Sequence, residues 1–215
     1  MIPLRDTTPS STVPLMTIAI IVVNVLVFFY ELMLGPRLQN AMYVFGMTPV
    51  LLTQQVAAQH APFWWPLGTL LTSMFFHGGW MHLIGNMYFL WIFGDNVEDV
   101  LGRAKYVGFY LATGLAASGV HLVTNWQSDL PTVGASGAIA GVLGAYLWLF
   151  PRARVLTLVT LGFFIELIEI PAFIFLGIWF LTQFFNGFMS FALLGGRVGG
   201  IAWWAPVGGF AAGYV

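Results

Sequence analysis

Long apolar stretches constrain this chain more than any other feature. A helix of about 20 apolar residues crosses the roughly 30 Å hydrocarbon core of a bilayer. Six stretches approach or reach that length, at about 13–34, 80–97, 106–123, 133–150, 171–188 and 201–215. Because only 7% of the residues are charged and 59% are hydrophobic, the chain has too few charged side chains to cover a water-facing surface. We expect an all-α, six-helix membrane domain over 13–215 that follows a cytoplasmic segment, 1–12.

The apolar region 67–93 is too long for one simple crossing. Gly78 and Gly79 interrupt it, which predicts a re-entrant or short loop helix before the second span. We expect 35–79 to form an outer-face loop, whose first part, 35–66, is long enough to contain structure of its own.

The apolar region 155–188 is also too long for one crossing, and Pro171 divides it. We therefore predict an interfacial connector over 155–170, followed by the fifth span. The sixth span starts near 201 and stops at Val215, which we interpret as a truncated last helix.

The positive charges predict the orientation of these spans. With a cytoplasmic N-terminus, two cations fall outside, Arg37 and Arg197, and five fall inside: Arg5, Arg103, Lys105, Arg152 and Arg154. This distribution follows the positive-inside rule. We expect a multi-pass membrane protein with a cytoplasmic N-terminus.

Charge and cysteine content exclude several functions. A net charge of −1 without a basic run gives no reason to expect nucleic-acid binding. The chain has no cysteine, so a disulfide, a thiolate nucleophile and a cysteine-ligated metal are impossible. No cofactor or metal is predicted, and the lipid bilayer is an expected partner.

Polar side chains in two spans are candidates for function, because each must face another helix or a water-filled cavity. The second span begins in HGGWMHLIGN, which contains His77, His82 and Asn86. His82 and Asn86 are four residues apart and share one helical face. The fourth span contains GASGAIAGVLG, with Ser136 between two glycines.

Small residues at a spacing of four predict close helix packing. Gly137 and Gly141 form such a pair in the fourth span, and Gly209 and Gly213 form another in the sixth. This spacing lets helix backbones approach closely. We expect these two spans to contact each other.

Each feature also has a structural interpretation. A serine in a glycine-rich membrane helix usually bonds a carbonyl one turn back. His82 and Asn86 could be polar contacts between helices or, with His77, part of a metal or proton path. A single pair of spaced glycines is weak evidence because it is abundant in membrane helices.

Taken together, the segments IPLRD, HGGWMHLIGNMYFLWIFGDNVED, GASGAIAG, PRARV and AWWAPVGGFAAG resemble the rhomboid family of intramembrane serine proteases, bacterial type. The resemblance extends from Ile2 to Gly213, and the combination of motifs is specific. It implies a six-helix bundle in a bacterial inner (plasma) membrane, with a water-filled cavity open to the outer face. The expected partners are then transmembrane segments of other proteins, as substrates or clients.

The resemblance also implies roles for individual residues. Ser136 would be the nucleophile, and its backbone N–H with the side chains of His82 and Asn86 would form the oxyanion hole. The gate through which a substrate enters would be about 171–187 together with the loop 189–200.

The chain departs from the family pattern at the general base. The family's last helix begins AHxxGxxxG, whereas this chain has Ala205 followed by Pro206. Proline has no titratable group, so it cannot accept the serine proton. Of the four histidines, His60 is expected in the outer loop, His121 near the outer end of the third span, and only His82 near Ser136.

Three functional hypotheses follow. The chain is a rhomboid protease by descent, impaired at Pro206; or it is a pseudoprotease that binds transmembrane segments without cutting them. A small transporter or channel would require His77, His82 and Asn86 to line a continuous pore, and the GxSG motif argues against that.

Overall fold

The structure is a computed structural model that describes residues 1–55, 64–161, 164–194 and 202–215. Within these residues the chain forms eight α-helices and three strands. The helices are α1 (Leu15–Met33), α2 (Leu38–Phe45), α3 (Trp64–Thr72), α4 (Trp80–Leu101), α5 (Arg103–Thr124), α6 (Ser136–Leu149), α7 (Ala172–Leu194) and α8 (Trp204–Tyr214). The strands are β1 (Ile2–Asp6), β2 (Arg154–Leu161) and β3 (Phe164–Pro171). His60 and Arg197 lie outside the described residues.

Each of the six apolar stretches contains one helix, but the helices differ in length. Leu15–Met33, Arg103–Thr124 and Ala172–Met189 are long and apolar enough to cross a bilayer. By contrast, α6 has 14 residues, a length of about 21 Å at 1.5 Å per residue. The protein is therefore a mostly helical membrane protein, and the number of its crossings stays a prediction.

Helix α6 forms the centre of the bundle. All ten residues from Gly137 to Tyr146 are buried, as expected for a helix that is apolar on every side. It packs against α4, α5, α7 and α8. Side chains of α4 and α7, such as Phe93 and Phe175, complete the core around it.

The closest helix contact joins α6 to α8, where glycines replace side chains. A Cβ atom on Gly209 would overlap the carbonyl oxygen of Gly137, and one on Gly213 would overlap the carbonyl oxygen of Gly141. The two glycine pairs thus meet backbone to backbone.

The glycines of α6 also accommodate a second neighbour. Cβ atoms on Gly137 and Gly141 would point toward α5, where they would overlap Ala117 and Thr113. The α6 pair is therefore shared between α5 and α8, which the spacing alone did not indicate.

The described residues of the predicted interfacial connector, 155–161 and 164–170, form strands β2 and β3. These two strands pair antiparallel, and β1 from the N-terminal segment pairs with β2 to give the order β1-β2-β3. Seven of the sixteen residues of β2 and β3 are valine, threonine or isoleucine, and such residues favour extended backbone. The all-α expectation is corrected accordingly: a small sheet accompanies the helices.

The sheet lies at the end of the bundle that also holds the α4–α5 junction. Thr7 N donates to Arg154 O at 2.9 Å, and Ser11 N donates to Asp99 Oδ2 at 2.8 Å. Five cations are therefore near this end: Arg5, Arg103, Lys105, Arg152 and Arg154. That this end faces the cytoplasm stays a prediction.

Glu98 of α4 caps the N-terminus of α1. The residue before that helix is Pro14, which gives no side-chain cap. The Glu98 carboxylate instead accepts Met16 N at 2.9 Å, Thr17 N at 2.8 Å and Thr17 Oγ1 at 2.9 Å. This satisfies backbone donors that have no partner inside the helix and fixes α1 against α4.

Replacing Glu98 with alanine is expected to lower the free energy of unfolding by about 2 kcal/mol, because it removes the acceptor of the Met16 and Thr17 N–H groups. Denaturant titration in mixed micelles would measure the loss. The control is Asp99→Ala, which removes the exposed bonds to Ser11 and Thr12 and should cost much less. Equal losses for the two variants would contradict the capping role.

Candidate active site

The two polar residues of α4 are placed by the backbone at its start. Gly79 adopts a φ of +151°, a conformation that favours glycine, and α4 begins at the next residue. His82 then lies in the first turn and Asn86 one turn further along. Both side chains face the same cavity.

Ser136 is the first residue of α6, and Gly134 brings His82 close to it. Gly134 has a φ of +135°, and its N–H donates to Ser73 O at 2.8 Å. A Cβ at Gly134 would lie 2.7 Å from His82 Nε2 and 3.7 Å from Ser136 Oγ. The imidazole and the hydroxyl therefore flank a glycine that cannot be replaced without moving the ring.

A cavity of about 630 Å³ joins these groups. It is lined by residues of α4, α6, α7 and the start of α8. The lining includes His82, Asn86, Ser136, Pro206 and Gln183, with an apolar wall formed by Met81, Phe89, Ile139, Trp179 and Trp203. The structure thus brings together all four residues that the sequence singled out for the reaction.

The hydrogen bond to His82 indicates which of its ring nitrogens carries the proton. Gly78 N donates to His82 Nδ1 at 3.4 Å. A neutral ring that accepts at Nδ1 carries its hydrogen on Nε2, the atom beside Gly134. In this tautomer His82 presents an N–H donor on the side of Ser136.

The Ser136 hydroxyl has no hydrogen-bonded base among the residues that the structure describes. Its hydroxyl is half-buried and makes no side-chain hydrogen bond within this part of the chain. Pro206, in the first turn of α8, is buried and lines the same cavity. This part of the cavity wall is therefore a pyrrolidine ring, which has no titratable group.

His121 lies nearer to Ser136 than the sequence suggested. It lines a second cavity of about 20 Å³ that Ser136 also borders, which is room for about one water molecule. Its Nε2 lies 3.0 Å from Thr132 Oγ1, and its Nδ1 lies 3.3 Å from Asn125 Nδ2. Protein groups therefore contact both ring nitrogens.

Helix α7 contributes to the cavity wall. Trp179 and Gln183 of α7 border the main cavity. They belong to the segment assigned to the gate, of which 195–200 lies outside the described residues.

Among the residues described, no three His, Asp or Glu side chains converge to hold a metal ion.

Sequence reasoning missed Glu31. This residue of α1 is 1% exposed and accepts a hydrogen bond from His77 N at 3.0 Å. An acidic residue inside an otherwise apolar span is a signal for function, and it could have drawn attention to Glu31.

Fold and cavity together define the class: a mostly helical membrane protein that presents a serine hydroxyl, an imidazole and a carboxamide in a cavity between its helices. Residues 63–215, more than half of the chain, match the Rhomboid domain family. The chain therefore belongs to the rhomboid family.

Curated relatives include a bacterial protease and mitochondrial rhomboid proteins. The chain is 34% identical over 150 residues to rhomboid protease GluP of Bacillus subtilis, covering 69% of this chain and 27% of that protein. It is 36% identical over 98 residues to rhomboid protein 1, mitochondrial, of Saccharomyces cerevisiae, covering 42% and 28%. It is 36% identical over 87 residues to presenilin-associated rhomboid-like protein, mitochondrial, of Mus musculus, covering 40% and 23%.

The matched region spans about a quarter of the length of these relatives. They come from a bacterium and from mitochondria, so they do not support the expected bacterial inner membrane over another compartment. Family membership and the apolar helices place the protein in a membrane.

Proposed function

We propose that this chain is an intramembrane serine endopeptidase scaffold whose cleavage of transmembrane segments is impaired by the loss of the general base. The observation that carries the proposal is the cavity that Ser136, His82, Asn86 and Pro206 share. Three of these residues supply a nucleophile and hydrogen-bond donors, and the fourth stands where the base is needed.

The length of α6 supports cleavage within the membrane. At about 21 Å, this helix is shorter than the roughly 30 Å hydrocarbon core. If Leu149 lies at the interface next to Arg152, then Ser136 lies about 10 Å below the opposite interface. A peptide bond that reaches Ser136 would thus belong to a segment embedded in the bilayer.

The donors around Ser136 suit the stabilisation of an oxyanion. The Nε2–H of His82 and the amide of Asn86 face the cavity that Ser136 borders, and the start of α6 contributes backbone N–H groups and the positive end of the helix dipole. Such donors bind the negative charge that develops on the scissile carbonyl. They cannot remove the serine proton, which nucleophilic attack requires.

A second candidate function is the binding of transmembrane clients without cleavage. The apolar wall formed by Phe89, Trp179 and Trp203 supports it, because contact with an apolar segment needs no base. This function and the first share the cavity and the gate, and they differ in whether restoring a base restores cleavage.

The proposal is tested with a fluorophosphonate probe that reacts with activated serines. The chain as given should label at least 100-fold more slowly than its Pro206→His variant, because labelling needs a base-assisted hydroxyl. Mass spectrometry would locate the adduct on Ser136, and Ser136→Ala supplies the background. Fast labelling of the unmodified chain at Ser136 would show that another group acts as the base.

A further inference from the structure

His77 contacts both residues assigned to the oxyanion hole, although it does not border the cavity itself. It is 1% exposed, and its Nε2 lies 3.1 Å from Asn86 Nδ2. Its ring also meets that of His82 edge to face, with centroids 5.2 Å apart. His77 therefore lies behind the two side chains that face the cavity.

The carbonyl of Phe75 fixes the direction of the bond between His77 and Asn86. His77 Nδ1 lies 3.2 Å from Phe75 O, and a carbonyl oxygen can only accept. The proton of a neutral ring is therefore on Nδ1, and Nε2 must accept. Asn86 consequently presents its NH₂ group to His77, which leaves the second N–H of that group for another acceptor.

Glu31 fixes the loop that carries His77. Its Oε1 accepts His77 N at 3.0 Å in a buried position. Its Oε2 is buried and has no hydrogen-bond partner among the described residues. A buried carboxyl group with one unsatisfied oxygen costs stability, and here it ties the loop before α4 to α1.

We propose that His77, anchored by Glu31, is a positioning residue that orients the Asn86 amide toward the cavity. The contribution to catalysis rests on the proposed function, whereas the orientation itself is a property of the folded chain. His77 acts through Asn86 and need not touch substrate.

The orientation is tested by nitrogen NMR of the full chain, labelled with ¹⁵N-histidine, in lipid nanodiscs. We expect His77 to carry its proton on Nδ1 and to show an unprotonated, hydrogen-bonded Nε2. Asn86→Leu should shift the His77 Nε2 signal and leave His121 unchanged. The matched control is Asn125→Leu, which removes the amide beside His121 and should shift only the His121 signals.

A proton on His77 Nε2, or a His77 signal that ignores Asn86→Leu, would overturn the proposal. The NMR measurement does not depend on cleavage, so it tests the proposal even when the chain is inactive. Glu31→Leu should broaden or shift the same signal by freeing the loop, whereas Glu31→Gln, which keeps an acceptor oxygen, should preserve it.

The catalytic consequence is measured in the Pro206→His background. His77→Leu should lower kcat about 100-fold with KM within twofold, because a misplaced oxyanion donor weakens transition-state binding selectively. His77→Gln, whose side-chain oxygen can accept from Asn86, should recover most of the loss. An unchanged kcat in a folded His77→Leu variant would contradict the positioning role, and failure of Pro206→His to cut would count against the proposed function alone.

Discussion

Replacing Pro206 with histidine is expected to give this chain the ability to cleave a transmembrane substrate. In soluble serine proteases, loss of the base lowers kcat by about 10⁶, so its restoration should raise turnover by several orders of magnitude. A histidine with an ordinary pKa near 6.5 can serve as a neutral base at pH 7. The measurement is the appearance of cleaved substrate in proteoliposomes.

The local structure favours this substitution. Pro206 is in the first turn of α8, where backbone N–H groups have no intrahelical partner and proline is optional. Its neighbour Ala205 is in van der Waals range of a Cβ at Gly137, the residue after Ser136. A side chain at 206 that already borders the cavity of Ser136 therefore starts close to the hydroxyl.

The double variant Pro206→His, Ser136→Ala is the control, and it should cut nothing. If Pro206→His folds and labels no faster than the unmodified chain, the cavity lacks more than its base. Client binding without cleavage would then be the better account. Client binding would be tested by crosslinking a transmembrane peptide to the chain at position 179 or 183, both of which are on the cavity wall.

Local spacing predicted which side chains share a helical face, but it did not predict the sheet at the end of the bundle. The four-residue interval between His82 and Asn86, and the glycines beside Ser136, act within one helix turn, so the sequence carries them directly. Pro206 was identified through the family pattern, and the structure then placed it on the cavity wall. The expectation that His82, Asn86 and Ser136 share one cavity came from the family resemblance, because these residues lie on different helices.

Features that depend on distant partners were not predictable in this way. The sequence predicts an interfacial connector where β2 and β3 form, because a short apolar run does not distinguish a strand from an interfacial segment. The pairing of β2 with β1 joins residues about 150 positions apart. Glu31 and His77 meet only because α1 packs beside the loop before α4. The proximity of His121 to Ser136 likewise arises from α5–α6 packing.

The contact between α6 and α8 leads to the second large expected effect. The double variant Gly209→Ala, Gly213→Ala should lower the free energy of unfolding by about 4 kcal/mol, because each new methyl group would overlap a backbone carbonyl oxygen of α6 and a backbone cannot rotate away as a side chain can. The two helices would have to separate, which would also move position 206 away from Ser136.

Two glycines of α5 provide the matched control, because Cβ atoms on Gly108 and Gly119 would meet no atom within 4 Å among the described residues. Gly108→Ala, Gly119→Ala should be neutral or slightly stabilising, since alanine favours helix over glycine. Denaturant titration in mixed micelles compares the free energies of unfolding of the two double variants, each of which adds two methyl groups. Equal stability of both double variants would mean that α6 and α8 are not in backbone contact, and the cavity they help to form would then lose its structural basis.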